Sequence, residues 1–172
     1  MNPEIYTLSQ LDWQLFATLT FKSERLTEAV RIKMFFALVR EQAGNFGVHF
    51  KDTIWCLRRE DGESTGRRHL HGLIAGFPRH ALTTATCFSF MKIWERLGGG
   101  MARVTLYTPR LDAVGYVLKG CEAEYRRAGG DYYEARKFGG HCDVMLSESV
   151  YRVMAGRRQI GKRRRQGQRQ AE

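Results

Sequence analysis

Strand-like and helix-like hydrophobic patterns alternate along this chain of 172 residues, and their order restricts the fold more than the composition does. Residues 13–21 are rich in aromatic and β-branched side chains, which is typical of a buried strand. After Ser23, a good helix cap, apolar residues recur every three to four positions as far as Gly44. The chain therefore begins with a strand followed by a helix that packs on it.

The later patterns extend this order. They predict two strands, a helix, a strand, a helix and an edge strand, over residues 53–60, 68–76, 83–97, 101–107, 108–121 and 143–146. Three glycines, Gly98 to Gly100, are expected to stop the second helix, and Thr108 and Pro109 to start the third. This order predicts an α+β, split βαβ (ferredoxin- or RRM-like) fold. Its central antiparallel sheet carries helices on one face and an active site on the other.

The charge is distributed unevenly. The chain carries 28 Lys and Arg against 18 Asp and Glu, a net charge of +10. Residues 150–172 hold eight basic residues and one acidic residue, which is +7 of that total. We therefore predict a domain over residues 1–149 and a basic, flexible tail over 150–172, which either binds phosphates or serves only solubility. The residues of the tail predicted to contact phosphates, and hence any nucleic-acid partner, are Arg157, Arg158, Lys162, Arg163, Arg164 and Arg165.

Composition excludes several classes of protein. A hydrophobic fraction of 43% excludes a wholly disordered chain. No apolar run approaches the roughly 20 residues that cross a bilayer, and the first residues lack the pattern of a signal peptide. These features predict a cytoplasmic protein with no membrane partner. The four cysteines show no C-x-x-C spacing, so disulfides are not expected.

His69 and His71 form the most informative motif. Alternate residues of a strand point to the same face, so the two imidazoles project together while Leu70 turns into the core. Such a pair alone also fits two surface histidines. A neighbouring carboxylate, Glu60 at a strand end or Glu63 in the following loop, completes a site suited to Mg²⁺ or Mn²⁺. We favour Glu60 because a strand end is held more rigidly than a loop.

Tyr116 and Lys119 form a second pair in the third predicted helix. Residues three apart share a helical face, so the phenol and the ammonium point the same way. A phenol is a poor nucleophile at neutral pH unless a nearby cation stabilises the phenolate. Without such partners, Tyr116 is interpreted as a core aromatic residue.

Together, the motifs resemble those of the HUH-superfamily Rep endonucleases with one tyrosine. The resemblance spans residues 13–119 and rests on three motifs in order: the strand Ala17 to Phe21, the histidine pair, and the tyrosine with Lys119. It implies that His69, His71 and an acidic residue, here Glu60 by position, bind a divalent cation. It also implies that Tyr116 attacks the scissile phosphate and that Lys119 assists.

The resemblance implies a function as well. Rep endonucleases nick and rejoin single-stranded DNA through a 5′-phosphotyrosine link and thereby initiate rolling-circle replication of plasmids, phages and small viruses. The expected substrate is single-stranded DNA or a hairpin at an origin, and we predict that Arg67 and Arg68 also contact it. The chain has no G-x-x-x-x-G-K-[ST] loop, so a separate host helicase and polymerase are expected.

Other functions remain open from the sequence. An HUH transposase uses the same metal pair and tyrosine, although the lysine of the tyrosine motif favours a Rep protein. A conjugative relaxase fits less well, because relaxases typically carry a third histidine in the metal motif and a tyrosine near the N-terminus, where Tyr6 is the only early tyrosine of this chain. A non-enzymatic domain that binds single-stranded nucleic acid on the open sheet face is the third alternative.

Overall fold

The computed structural model describes residues 8–61, 67–111, 113–118 and 144–153. Within these ranges lie five strands and three α-helices, followed by a helical segment at residues 148–153. In chain order they are β1 (Leu15–Phe21), α1 (Glu28–Asn45), β2 (Ile54–Asp61), β3 (Arg68–Ala75), α2 (Thr84–Arg96), β4 (Gly99–Leu106), α3 (Ala113–Val117) and β5 (Val144–Leu146). No helix in these ranges combines the length and apolar character needed to cross a bilayer.

The strands form one sheet in the order β4-β1-β3-β2-β5, and every neighbouring pair is antiparallel. β1 lies between β3 and β4, so the first strand of the chain is not at an edge. The predicted α+β, split βαβ arrangement is confirmed, as is the predicted edge strand β5, which pairs with β2.

The face of the sheet that packs against α1 and α2, here called the α1–α2 face, carries the larger core. Along β1 every second residue is buried, and these residues pack with aromatic side chains of the two helices. The main contributors are Leu15, Ala17, Leu19, Phe21, Phe35, Leu38, Leu57, Leu70, Phe90 and Trp94. Strand alternation and helical periodicity therefore meet at one apolar layer, as the patterns predict.

The opposite face, here called the α3 face, is partly covered rather than free. A second buried cluster joins one end of this face to α3 and to residues before β1 and after β5. Its members include Leu8, Trp13, Cys56, Leu73, Val114, Val117, Val144 and Val150. The prediction that helices occupy only one face is therefore wrong in this respect, because α3 packs its apolar side on the other. The end of the α3 face that carries His69 is where polar side chains collect.

Helix α1 begins later than predicted. Thr27, not Ser23, is its N-cap, and the Thr27 hydroxyl accepts a hydrogen bond from the backbone N–H of Val30 at 3.4 Å. The cause is the buried guanidinium of Arg31, which donates to the carbonyls of Glu24 and Leu26 at 2.9 and 3.0 Å. These bonds hold the segment before Thr27 in a non-helical conformation.

The three glycines after α2 have different roles. Gly98 has φ +87° and ends the helix, in agreement with the predicted stop. Gly99 and Gly100 instead begin β4, two residues earlier than predicted. A Cβ atom at Gly99 would overlap the indole of Trp94, and one at Gly100 would lie 2.7 Å from the Thr20 hydroxyl. Close approach of β4 to its neighbours explains these two glycines.

The third predicted helix differs at its start. Pro109 opens a 3₁₀ turn over Pro109–Leu111, and the α-helical residues described are Ala113–Val117. Residues 112 and 119–121, which the prediction placed in the same helix, lie outside the described residues.

Candidate metal centre and tyrosine site

Strand register brings the two predicted histidines together with the predicted carboxylate. In the antiparallel pairing of β2 with β3, Glu60 lies opposite His69 and Arg58 lies opposite His71. Residues directly opposite in such a pair point to the same face. Since Leu57 and Leu70 are in the core of the α1–α2 face, Glu60 and the two histidines project from the α3 face.

The three side chains are close enough to share a cation. Nε2 of His71 lies 3.0 Å from Oε2 of Glu60, and Nε2 of His69 lies 3.5 Å from the same oxygen. One ligand atom from each residue lies within 4.8 Å of the others. This group is here called the His/Glu triad.

Both imidazoles are held through their other ring nitrogen. Nδ1 of His69 lies 3.1 Å from the carbonyl oxygen of Arg67, which can only accept, so Nδ1 is the donor of this hydrogen bond. Nδ1 of His71 lies 3.2 Å from Oγ1 of Thr18 on the other neighbouring strand. Phe16 also stacks parallel to His71, with ring centroids 5.9 Å apart. The Nε2 atoms of both rings are therefore directed towards Glu60.

Burial and neighbouring charges favour the protonation states that bind metals. Burial first, and then His69, lower the pKa of His71 to about 4, so this ring is neutral at pH 7. Burial on its own raises the pKa of Glu60, but Arg58 and then His71 lower it below its ordinary value. A neutral imidazole and an ionised carboxylate are the forms that coordinate a divalent cation.

Tyr116 reaches the triad from α3. Its hydroxyl donates a hydrogen bond to Oε2 of Glu60 at 3.2 Å and lies 3.5 Å from Nε2 of His71. The side chain is 44% exposed, so the interpretation of Tyr116 as an ordinary core aromatic is wrong. Instead, Val114 and Val117 bury the apolar side of the helix, and the phenol lies at the border between the triad and solvent.

Arg58 links the helix of the tyrosine to the sheet. Its Nη1 donates to the backbone carbonyls of Tyr116 and Val117 at 3.1 and 3.2 Å. Neither Arg58 nor Thr18 was among the residues predicted for the site. The strand pattern already contained the necessary signal, because Arg58 lies two residues before Glu60 and must share its face.

The remaining predicted site residues divide into two groups. Arg67 and Arg68 are exposed at the start of β3. Arg68 lies two residues before Leu70 and therefore points to the same α1–α2 face. Arg67 contributes its backbone carbonyl to the hydrogen bond with His69. The other group, Lys119, Glu63 and the basic residues of the tail, lies outside the described residues.

Comparison of the chain with protein-family models, curated proteins and solved structures finds no match. The resemblance to HUH Rep endonucleases therefore rests on the sequence motifs alone. Chemically, the candidate site combines two imidazoles, a carboxylate and an accessible phenol, which suits metal-assisted attack on a phosphate ester.

Proposed function

We propose that this protein is a metal-dependent endonuclease and strand transferase that nicks and joins single-stranded DNA through a tyrosine. One observation carries the proposal: the Tyr116 hydroxyl lies 3.2 Å from Glu60 in the His/Glu triad. These residues are 56 positions apart in the chain and come from a strand and a helix. An apolar core requires no such meeting of an exposed phenol with two histidines and a carboxylate.

The triad suits a divalent cation. His69, His71 and Glu60 would hold it through two nitrogens and one carboxylate oxygen, a donor set that leaves positions for phosphate oxygens. When bound, Mg²⁺ or Mn²⁺ supplies positive charge against the negative charge that develops on the scissile phosphate. The Nδ1 contacts of the two histidines, with the Arg67 carbonyl and the Thr18 hydroxyl, orient both imidazoles for this task.

The reaction exchanges one phosphodiester for another. The Tyr116 oxygen forms a bond to phosphorus as the bond from phosphorus to the 3′-oxygen breaks. Glu60 accepts the hydrogen bond of the phenol and thereby directs its oxygen lone pairs. The phenol loses one proton and the departing 3′-oxygen gains one. The 5′-phosphate stays on the protein through its new bond to the tyrosine oxygen. A second 3′-hydroxyl can reverse the step and join strands.

The biological role that we propose is initiation of rolling-circle replication of a plasmid, phage or virus in the cytoplasm of a bacterial host. The DNA partner is a single strand or a hairpin at an origin, and unwinding and synthesis fall to a separate helicase and polymerase. Lys119 is proposed to stabilise the phenolate, and Arg67, Arg68 and the basic tail to hold the strand by its phosphates.

The test is formation of a covalent adduct. The protein is incubated with Mn²⁺ and a pool of single-stranded oligonucleotides that includes hairpins, and denaturing gels reveal any DNA that remains attached. We expect an adduct that Tyr116→Phe and chelation of the metal both abolish. Tyr107→Phe is the matched control, because this tyrosine follows β4 and lies outside the triad.

A second variant separates cleavage from binding. His71→Ala should abolish the adduct and preserve much of the affinity for DNA, because phosphate contacts elsewhere remain. Equal loss of both activities would indicate that the histidine is structural. An adduct that survives in Tyr116→Phe would exclude this tyrosine as the nucleophile.

A further inference from the structure

We propose that Arg58 is a positioning residue for Tyr116: its guanidinium ties the carbonyl end of α3 to β2 and thereby holds the phenol at the His/Glu triad. This inference rests on the proposed function for its catalytic consequence. Its structural content, that one arginine fixes the position of α3, can be tested independently.

The position of Arg58 in the sheet supports this role. Arg58 lies opposite His71 and two residues before Glu60, so its side chain leaves the same face as the triad. From there, Nη1 reaches two successive carbonyls, those of Tyr116 and Val117. The arginine therefore contacts the backbone of the nucleophile itself, while its own strand carries a residue of the triad.

The shortness of α3 explains why such a link is needed. The described helix has five residues, and a helix of this length has little stability of its own in water. The last carbonyls of a helix carry the negative end of its dipole. The Arg58 guanidinium donates charge-assisted hydrogen bonds to two such carbonyls, those of Tyr116 and Val117. Its positive charge also interacts favourably with the negative end of the dipole.

Apolar packing alone does not set the position of the phenol. Val114 and Val117 anchor the buried side of α3 in the second cluster, which does not include the triad residues. The Tyr116 ring makes edge contacts with His71 and Phe16 at centroid distances of 4.9 and 6.5 Å. The bonds from Arg58 add polar, directional contacts that join the backbone of Tyr116 to the strand of Glu60.

The chain offers a matched control on the same strand. Arg59 points to the opposite face, where it forms an ion pair with Glu28 at the start of α1. Arg58→Gln and Arg59→Gln remove the same charge from adjacent residues of β2. Both variants should fold, and the second should leave the site unchanged.

The first measurement is hydrogen exchange of the metal-free proteins, which does not depend on activity. In Arg58→Gln we expect faster exchange at residues 113–118, including the Leu118 amide that bonds to Val114 at 2.9 Å, with β1 and β3 unchanged. Unchanged exchange at 113–118 would overturn the proposal. Faster exchange throughout the sheet would also overturn it, because Arg58 would then be a general stabiliser.

The second measurement is the rate of adduct formation under single-turnover conditions. Misplacement of a nucleophile by about 1 Å can cost roughly 100-fold in rate, so we expect a loss of that order in Arg58→Gln with Mn²⁺ affinity retained. Arg58→Lys keeps the charge without the planar fork and should be intermediate. A wild-type rate in Arg58→Gln would overturn the proposal.

The two measurements separate the possible failures. If no variant forms an adduct but residues 113–118 loosen in Arg58→Gln, the structural inference holds and the nuclease proposal fails. If the wild type forms an adduct and Arg58→Gln does so equally fast, the nuclease proposal holds and the positioning role fails.

Discussion

The two faces of the sheet are built from the same strands but have different contents. The α1–α2 face carries the larger apolar core, which runs from Leu15 to Phe21 on β1 and from Leu70 to Ile74 on β3. The α3 face has an apolar cluster at the end where Cys56 and Leu73 lie, and its other end carries the His/Glu triad. One face therefore supplies the main core, and the other divides its area between a smaller core and a polar site.

This difference shows how a small domain accommodates buried polar groups. His71 is only 4% exposed, and its neighbour Leu70 is 2% exposed, but they lie on opposite faces. Thr18 and Glu60 give the buried imidazole polar partners that replace its hydrogen bonds to water. Burial of the leucine is favourable in itself, because its side chain is apolar and contacts other apolar side chains. We therefore expect substitutions on the α1–α2 face to lower stability and substitutions at the triad to lower metal binding and activity.

The largest expected contrast is between Leu70→Ala and His69→Ala. Leu70 is a buried core residue, so its truncation should lower the free energy of unfolding by about 2–5 kcal/mol in urea titrations. The His69 side chain is 17% exposed, so His69→Ala should cost less stability but abolish tight Mn²⁺ binding in calorimetry. If His69→Ala destabilises the protein more than Leu70→Ala does, stability and chemistry are not separated between the two faces.

A smaller effect is expected for Thr18, which holds His71 from the neighbouring strand. Thr18→Val keeps the shape and removes the hydroxyl, and loss of such a partner typically weakens a metal site about 10- to 100-fold. Mn²⁺ titrations measure the change. Thr18→Ser retains the hydroxyl and should bind like the wild type, and equal affinity of the valine variant would contradict this role.

Removal of residues 154–172 isolates the contribution of the α3 face to DNA binding. The deleted segment carries seven basic residues. Each lost contact to a single-stranded phosphate should reduce the slope of log K against log salt by about 0.7. Filter-binding titrations should show weaker binding, while the single-turnover adduct rate at saturating DNA changes little. A large loss in that rate would place part of the catalytic machinery in the tail.

The smallest expected effect concerns Cys56, which is buried in the second cluster. Burial raises the pKa of its thiol from 9.0 to about 12. Because the folded protein keeps this proton longer than the unfolded chain, stability should decline as pH rises from about 9 towards 12. Cys56→Ala should reduce that decline, and peptide mapping should show no alkylation of Cys56 in the folded protein at pH 8. Rapid alkylation would show that this end of the face opens.

Much of the fold was predictable because its elements have strong local signals. The alternation of buried residues in β1 and the spacing of apolar residues in α2 both follow from the sequence, and α2 begins one residue after its predicted start. The start of α1 was not predictable. It depends on Arg31, a residue inside the helix whose guanidinium folds back onto the preceding carbonyls.

The candidate site was predictable in part. Alternation placed His69 and His71 on one face, and a strand end favoured Glu60, which the structure brings to both histidines. Alternation along β2 also places Arg58 on the face of Glu60. The bonds of Arg58 to α3 and of Thr18 to His71 could not be predicted, because each joins segments that are far apart in the chain. The described residues leave the choice of Glu60 over Glu63 and the role of Lys119 as predictions.

By itself, the sequence determined the order of strands and helices, the shared face of His69 and His71, and the concentration of basic residues after residue 150. These properties follow from local periodicity and composition. The tertiary structure decided that Tyr116 meets the triad, that Arg58 holds the carbonyl end of α3, and that α3 covers part of the second face. Strand register and helix docking decide such contacts, because they bring together groups that are far apart in the chain.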